Sequence, residues 1–492
     1  MVYDRQMSVR LPFGRRMSTY LIGERRSAVA LGDITDRITR GFERTGASVS
    51  GAFEPVVRLG VTGLARSGKT VFITSLVSNL LEHGRMALLT SAPRIQAAYL
   101  QPQPDDTVPR FDYEGHLAAL TGVPPKWPDS TKSVSELRVS LKVQPGGFLS
   151  GLRSPKVVHI DIVDYPGEWL LDLTLLDRSY DEWSMLVLGR LAKRREADAF
   201  LAAMPDGSEA FDETKLRDLN EVYVDALQAL RDAGYSDCTP GRFLMPGELA
   251  GSPALTFVPL AKNDRVGRAS LWRECERRYD AYRKQVVRPF YRDHFAKIDR
   301  QVVLVDVLGA LHAGPEAFDN LRLVMADVMK AFRPGRNGFF SEMFLGRRVE
   351  KLLFAATKAD HLHHHQHAKL QALTEALLAE ARQRAAFAGA ETQAVALASL
   401  RATIEAKADQ RGDGLDLVQG YKTGKVMAYH AGDLPDNPQD VLSIARQGEA
   451  KWLDADFGRM DFDPPPGVKR QGEGIAHLRL DRAVEFLIGD KL

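Results

Sequence analysis

Residues 63–70 read GLARSGKT, which fits the phosphate-binding pattern G-x-x-x-x-G-K-[ST]. An apolar strand is predicted directly before this loop, at residues 56–61, and a helix with an apolar face directly after it. Strand, glycine loop and helix in this order begin an α/β domain. The motif therefore predicts a P-loop NTPase core sheet, and it constrains the fold more than any other feature of the chain.

The residue types of this loop suit a nucleoside triphosphate. Glycines allow backbone N–H groups to converge on phosphate oxygens, and the N-terminus of the following helix adds the positive end of its dipole. We expect Lys69 to bridge the β- and γ-phosphates and the Thr70 hydroxyl to ligate Mg²⁺. Arg66 lies inside the loop, where its charge could reach the transferring phosphoryl group. The predicted nucleotide contacts of this segment are Ser67, Gly68, Lys69, Thr70 and Val71.

A second motif, DYPG at residues 164–167, ends the apolar strand predicted at 157–163. Asp164 is placed to hold Mg²⁺ through water, and the N–H of Gly167 to bind a γ-phosphate. Asp161 is the alternative carboxylate on the same strand, but its odd offset from Asp164 points it to the other face.

A third motif, TKAD at residues 357–360, closes a predicted strand and indicates the base. The Asp360 carboxylate can accept hydrogen bonds from N1–H and from the exocyclic amine of guanine, whereas adenine has no N1–H. The stem of Lys358 can lie along the base plane. A competing KxD sequence, AKND at 261–264, lacks the preceding Thr or Asn and follows a strand that contains Pro259. His361 and Ser399 are further predicted contacts to the nucleotide.

We expect a second threonine, besides Thr70, to ligate the Mg²⁺ of the bound nucleotide. It must come from the segment between the helix that follows the P-loop and the strand predicted at 137–143. The best match is WPDSTK at 127–132, which offers hydroxyls, a basic residue for phosphate and an aromatic ring that can cover the nucleotide. Its predicted contacts are Trp127, Ser130, Thr131 and Lys132, with Thr131 also a Mg²⁺ ligand.

Composition and charge exclude several classes of protein, and the spacing of the motifs predicts the domain organisation. The chain has 492 residues and a net charge of +2, which does not suit a binder of polyanions, and its two cysteines exclude a disulfide framework. No apolar run is long enough to span a bilayer. The predicted segments are an N-terminal extension and helix (1–55), the first part of the GTPase core (56–170), a helical insertion (171–299), the second part of the core (300–410), a short-strand and loop insertion (411–475) and a closing helix (476–492). Within the core, residues 84–136 are rich in Pro, Asp and Thr and are predicted to be loop, and a long helix is predicted at about 362–388.

In this order the motifs resemble those of Ras-like GTPases, and the wording GLARSGKT, WPDSTK, IVDYPGEW, TKADH and LDRAVEFLIGDKL is similar to the YcjX family from about residue 27 to the end. The resemblance implies a Ras-like fold with a helical insertion and a cytoplasmic protein that binds GTP and GDP with Mg²⁺ and hydrolyses GTP slowly. It also implies a role in bacterial stress response and a YcjF-type membrane protein as a partner, which would place the chain at the inner membrane. Glu168 follows DYPG where small GTPases carry a water-orienting Gln; we expect it to act as a general base.

Two alternatives to a GTPase switch stay open at this point: an ATP-dependent kinase or motor ATPase, and a non-catalytic scaffold gated by nucleotide. A histidine cluster is expected to be an exposed helix start rather than a metal site, because no cysteine and no cluster of acidic residues lies near it in sequence. The excess of basic residues between 265 and 300 is expected to be a solvated helix surface, with no nucleic acid bound. The cluster comprises His361, His363, His364, His365 and His367.

Overall fold

A seven-stranded sheet lies at the centre of the protein, for which we describe a computed structural model covering residues 54–64, 66–129, 133–146, 154–332, 349–410, 413–447, 452 and 461–492. The N-terminal extension with its predicted helix, and Ser130, Thr131 and Lys132, lie outside the described residues. The strands of this sheet are β1 (Val56–Gly63), β2 (Ile95–Gln101), β3 (Ser135–Val143), β4 (Lys156–Asp164), β5 (Arg300–Val305), β6 (Lys351–Ala356) and β7 (Glu391–Ala396).

The strand order is β2-β3-β4-β1-β5-β6-β7. The five strands from β4 to β7 run parallel, whereas β2 and β3 are antiparallel additions at one edge. Parallel strands are covered by helices on both faces and therefore read as nearly continuous apolar runs. This explains why β4, β5 and β6 were predictable from sequence: every residue of β5 is buried, and so are seven of the nine in β4. The sheet is that of a mixed α/β protein with a P-loop NTPase-like core.

Helices connect the parallel strands. The first, α1 (Lys69–Glu82), begins at the phosphate-binding motif and packs into the core on one face of the sheet together with the C-terminal helix. The remaining helices are α2 (Tyr113–Thr121), α3 (Glu168–Leu173), α4 (Tyr180–Leu191), α5 (Asp198–Ala203), α6 (Glu213–Asp232), α7 (Gly241–Leu244), α8 (Leu271–Tyr282), α9 (Arg288–Asp293), α10 (Val307–His312), α11 (Pro315–Val328), α12 (His367–Leu377), α13 (Ala379–Phe387), α14 (Pro438–Gln447) and α15 (Leu480–Ile488).

A second, three-stranded antiparallel sheet follows β7 in sequence, and a two-stranded ribbon precedes α15. The three strands pair in the order β10-β9-β8. Their bounds are β8 (Thr403–Gln410), β9 (Asp413–Lys422) and β10 (Lys425–Tyr429), and those of the ribbon are β11 (Lys469–Arg470) and β12 (Gly474–Ile475).

Three stretches differ from their prediction. The segment 84–136, expected to be loop, contains β2 and α2. Its strand was missed because β2 is an edge strand with one buried residue and no apolar run, and its helix because only Tyr113 and Leu120 of α2 are buried. The long helix expected at 362–388 is divided into α12 and α13 at Leu378. The segment 411–475 contains the helix α14 besides strands and loops.

The block from 171 to 299 is helical as predicted, but it is not a separate body. Residues 53–492 form one compact unit. Its helices share a continuous hydrophobic cluster with one face of the sheet. At this junction Tyr165 and Trp169, beside the DYPG motif, pack edge-on against Phe290 with ring centroids 5.6 and 5.5 Å apart. The large inserted subdomain is thus not confirmed, and the six segment boundaries stay predictions.

Asp172 fixes α3 to this block. Its fully buried carboxylate accepts hydrogen bonds from the N–H of Gly241 at 2.7 Å, the N–H of Arg242 at 3.2 Å and the hydroxyl of Tyr282 at 2.6 Å. Burial raises the pKa of this carboxyl group to about 6, against the opposing effect of those hydrogen bonds. One side chain therefore holds the segment after DYPG against both α7 and α8.

No helix in the described part of the chain is long and apolar enough to cross a membrane.

We expect Asp172→Ala to lower the free energy of unfolding by about 3 kcal/mol, because a buried donor left without an acceptor costs about 1–3 kcal/mol and three donors lose theirs. Chemical denaturation followed by circular dichroism measures the change. Asp225→Ala, at an exposed position of α6, is the matched control. Equal stability of the two variants would contradict the anchoring role of Asp172.

Candidate functional site

The predicted motifs meet in one cavity of about 1050 Å³ at the carboxyl ends of the parallel strands. In an open α/β sheet this is the edge at which ligands bind. The cavity is lined by the glycine loop after β1, by Pro166 and Glu168 after β4, by the loop after β6 and by the loop after β7. Among the predicted residues that the structure describes, its lining includes Arg66, Ser67, Gly68, Lys69, Thr70, Val71, Trp127, Glu168, Lys358, Asp360, His361 and Ser399.

The glycine loop has the backbone of an anion cradle. Gly68, at the start of α1, has φ +79°, a left-handed conformation that favours glycine. A Cβ at Gly63 would collide with the Ser67 hydroxyl and come within 2.9 Å of the carbonyl oxygen of Leu304. The Ser67 hydroxyl is buried and has no hydrogen-bond partner among the described residues. A buried hydroxyl in that state is ready for a polar ligand.

Lys69, which lines the cavity, forms an ion pair with Asp164, which is not itself in the lining. Lys69 Nζ donates to Asp164 Oδ1, and both side chains are buried. The pair joins the end of β4 to the first residue of α1. Asp161, the alternative carboxylate, instead accepts hydrogen bonds from Nε and Nη2 of Arg138 at 2.6 and 2.8 Å. It therefore belongs to the contact between β3 and β4.

Gly167 lies directly against the glycine loop. A Cβ at this position would collide with the carbonyl oxygen of Gly63 and approach the N–H of Leu64 within 2.9 Å. Only glycine lets the backbone after β4 come this close to the glycine loop. Gly167 is not itself in the cavity lining.

On the side of the predicted magnesium-sensing segment, the Thr70 hydroxyl donates to the carbonyl oxygen of Asp129 at 3.3 Å. The indole N–H of Trp127 donates to the carbonyl oxygen of Phe462 at 2.8 Å, and the ring of Phe462 packs edge-on against His361, with centroids 5.6 Å apart. Two aromatic residues far apart in sequence thus close one wall of the cavity.

Asp360 is held in place by the loop that follows β7. Its Oδ2 accepts from the N–H of Ala402 at 2.7 Å, and the Thr403 hydroxyl donates to its backbone carbonyl oxygen. A carboxylate has about four acceptor positions, so one such bond leaves room for two donors of a base. Lys358 has φ +61°, and its Nζ donates to Asp306 at 2.8 Å. Burial lowers the pKa of the neighbouring His361 below its ordinary range.

The competing AKND sequence lies elsewhere. Residues 261–264 are exposed and do not line the cavity. Asn263 donates to Asp206 at 2.7 Å, and the Lys262 ammonium lies 5.0 Å from the ring centroid of Trp272. This arrangement is that of a surface turn.

Sequence reasoning missed one wall of the cavity, which comes from the helical block and from the segment before α15. These residues carry no motif, and no local pattern in the sequence distinguishes them. They include Arg231, Asp232, Leu244, Met245, Pro246, Gly247, Asp461 and Phe462.

Arg66, Arg231 and Glu168 line the cavity near its rim. Burial raises the pKa of Glu168 above its usual range, while a backbone hydrogen bond and the charges of Arg231 and Lys69 oppose this effect. Arg231 comes from the end of α6. Arg66 is 60% exposed and lies 3.4 Å from the carboxylate of Asp232. The helical block thus supplies a cation next to the residue that follows DYPG.

Comparison with known proteins agrees with this geometry. The family model described as "YcjX-like family, DUF463" matches residues 57–492. The "Ras-like GTPase YcjX" of Escherichia coli (strain K12) is 38% identical over 459 residues, covering 89% of this chain and 96% of that protein. The protein of the same name from Shewanella oneidensis (strain MR-1) is 33% identical over 474 residues, covering 89% and 94%. Because the match takes in every described motif at the cavity, the chain belongs to the YcjX-like family.

Proposed function

We propose that this protein binds GTP and GDP with Mg²⁺ and hydrolyses GTP slowly, as a Ras-like switch. The observation that carries the proposal is the convergence of the glycine loop and Asp360 on one cavity. A phosphate cradle alone serves any nucleotide, and a fixed carboxylate at the base end selects guanine. The relatives' names, which call them GTPases, support the same conclusion.

The triphosphate would lie along the glycine loop, with its phosphates at the N-terminus of α1. Lys69 would then exchange its contact with Asp164 for the β- and γ-phosphates. Two observations support this placement: the buried Ser67 hydroxyl has no hydrogen-bond partner among the described residues, and Gly167 brings the segment after β4 against the loop at Gly63. The base would lie between Lys358 and the loop that contains Ser399.

Thr70 and Asp164 are the described residues that would hold Mg²⁺, with Thr131 proposed as a third ligand. They fit the ion because Mg²⁺ prefers hydroxyl, carboxylate and water oxygens. When bound, Mg²⁺ neutralises charge on the β- and γ-phosphate oxygens.

For hydrolysis, Glu168 in its ionised form would accept a proton from the attacking water. Its burial raises its pKa and so shifts its ionisation to higher pH. A cation supplied within the chain would stabilise charge on the transferring phosphoryl group. Arg231 fits this role better than Arg66, because its charge already acts on Glu168, whereas Arg66 is exposed and paired with Asp232.

The remaining parts of the proposal rest on the family resemblance. They are a cytoplasmic location, at times at the inner membrane, a role in bacterial stress response and a YcjF-type membrane protein as partner. The nucleotide-bound state would order the loops near 127–132 and 164–169, and hydrolysis would release them.

Lys69→Ala is expected to abolish binding of a fluorescent GTP analogue, because it removes the charge that neutralises the β- and γ-phosphates. It also removes a buried ion pair with Asp164, so the melting temperature is measured alongside. Lys193→Ala, at an exposed position of the helical block, serves as control. Unchanged affinity in the folded Lys69→Ala protein would refute the phosphate site.

Asp360→Asn is expected to weaken GTP binding by about 2–3 kcal/mol and to relax the preference for GTP over ATP, because an acceptor for two guanine donors is lost. Competition titrations with both nucleotides measure the preference. Asp264→Asn, in the exposed AKND sequence, is the matched control and should bind like the wild type. If the control variant shows the change and Asp360→Asn does not, Asp360 is not the residue that selects guanine.

Wild-type GTP hydrolysis is expected to be slower than about 0.1 s⁻¹, which is the scale of GTPases that supply the catalytic arginine from their own chain. Arg231→Ala should lower the single-turnover rate by about 10³-fold, with a smaller loss in Arg66→Ala. Glu168→Gln should show a modest loss at neutral pH. Nucleotide affinity measured in parallel separates an effect on rate from an effect on binding.

Because the pKa of Glu168 is raised, its ionised fraction grows as pH increases above the ordinary value of 4.5. The wild-type rate should therefore rise with pH through that raised pKa, and Glu168→Gln should remove the dependence. A wild-type rate that neither arginine variant lowers would assign catalysis to other groups.

A further inference from the structure

Three consecutive histidines lie immediately behind the loop that carries Asp360. His363, His364 and His365 each place a ring nitrogen within 4.8 Å of the others. Their ring centroids are 4.0–4.6 Å apart.

Two carboxylates face these rings from the hairpin of β8 and β9. Glu405 Oε2 lies 2.8 Å from His364 Nδ1, and Asp416 Oδ2 lies 3.1 Å from His365 Nδ1. Glu405 pairs with Val418 and Lys407 pairs with Asp416 in the strand register, which puts both carboxylates on one face of the hairpin. The acidic residues missing from the local sequence are therefore supplied by the fold.

His363 stands at the centre of this group. It is 6% exposed, and its Nδ1 has no hydrogen-bond partner among the described residues. That nitrogen lies 3.5 Å from Asp416 Oδ2, and the other ring nitrogen lies 3.7 Å from Glu405 Oε2. A buried imidazole nitrogen that lies near a carboxylate without a hydrogen bond is an open ligand position.

We propose that His363, His364 and His365, with Glu405 and Asp416, form a binding site for a borderline divalent transition metal, with Zn²⁺ as the best match. Imidazole nitrogens and carboxylate oxygens are the donors this ion takes in proteins. Tetrahedral bonds of about 2.0–2.1 Å place ligand nitrogens about 3.3 Å apart, so the rings would close by at most about 1.5 Å. The carboxylates that accept from His364 and His365 orient these rings, as second partners of metal-bound histidines do.

The site joins the base-binding loop to the β8–β9 hairpin. Asp360 accepts from the N–H of Ala402, and Thr403, the first residue of β8, donates to the Asp360 carbonyl oxygen. The histidines begin three residues after Asp360, and Glu405 lies two residues after Thr403. A bound ion would fasten the same two segments a second time, on the side away from the nucleotide.

The test is Zn²⁺ titration of the full-length, tag-free protein against a chromogenic chelator, in the absence of nucleotide. We expect one Zn²⁺ per chain and a rise in melting temperature on binding. The decisive variant is His364→Asn/His365→Asn, because these side chains are 56% and 61% exposed and their replacement leaves the core intact. It should lose the bound Zn²⁺, and Asp416→Asn should weaken binding by about 10–100-fold.

His116→Asn, at a partly exposed position of α2, is the histidine control and should keep its Zn²⁺. X-ray absorption at the zinc edge should give Zn–N bonds of about 2.0–2.1 Å in the wild type. Failure of the wild type to bind would overturn the proposal and make the cluster a set of histidine–carboxylate ion pairs. Binding that survives in the double variant would overturn it as well. Neither result depends on GTP binding, which is measured separately on the same proteins.

Discussion

The contact between Lys69 and Asp164 is the interaction around which the cavity is built. It links the first residue of the helix after the glycine loop to the last residue of β4, and both side chains are buried. Removing one partner of a buried ion pair leaves an uncompensated charge, which costs about 3–5 kcal/mol. The two strand ends are therefore held together before any ligand arrives. Gly167 lies against Gly63 just beyond, where no larger residue fits.

The helical block (residues 171–299) positions the residues at the rim of the cavity. Asp172 anchors α3 to α7 and α8, and Gly241 approaches so closely that a Cβ there would collide with the carbonyl oxygen of Glu168. The position of Glu168 thus depends on residues that lie far along the chain. Arg231 reaches the same place from α6. A block that shares its core with the sheet can bring a cation to the glycine loop in a fixed position, whereas a hinged domain would have to close first.

The base end of the cavity is built in a similar way. The Asp360 loop is fastened by Ala402 and Thr403 and covered by the aromatic wall of Trp127, Phe462 and His361. The histidine cluster follows it on the far side. A metal ion bound by the histidines and a nucleotide bound in the cavity would both stabilise the Asp360 loop, from opposite sides. Through this loop, binding of either ligand would affect the affinity for the other.

Sequence alone determined the α/β class, the family and the residues of the phosphate and base motifs, because each of these is encoded within a few consecutive positions. A glycine loop works through its own backbone, and a buried parallel strand reads as an apolar run. The short edge strand β2 and the weakly buried helix α2 carry no such local signal, and they were missed.

Tertiary structure alone showed which partner each of the two aspartates takes: Asp164 pairs with Lys69, and Asp161 with Arg138 of β3. It also decided that AKND is a surface turn, that Arg231 stands beside Glu168, and that the histidines have acidic neighbours. Glu405 and Asp416 lie 40 residues and more beyond His363 in the chain. Contacts between side chains so far apart arise from strand pairing and packing, and no pattern of neighbouring residues records them.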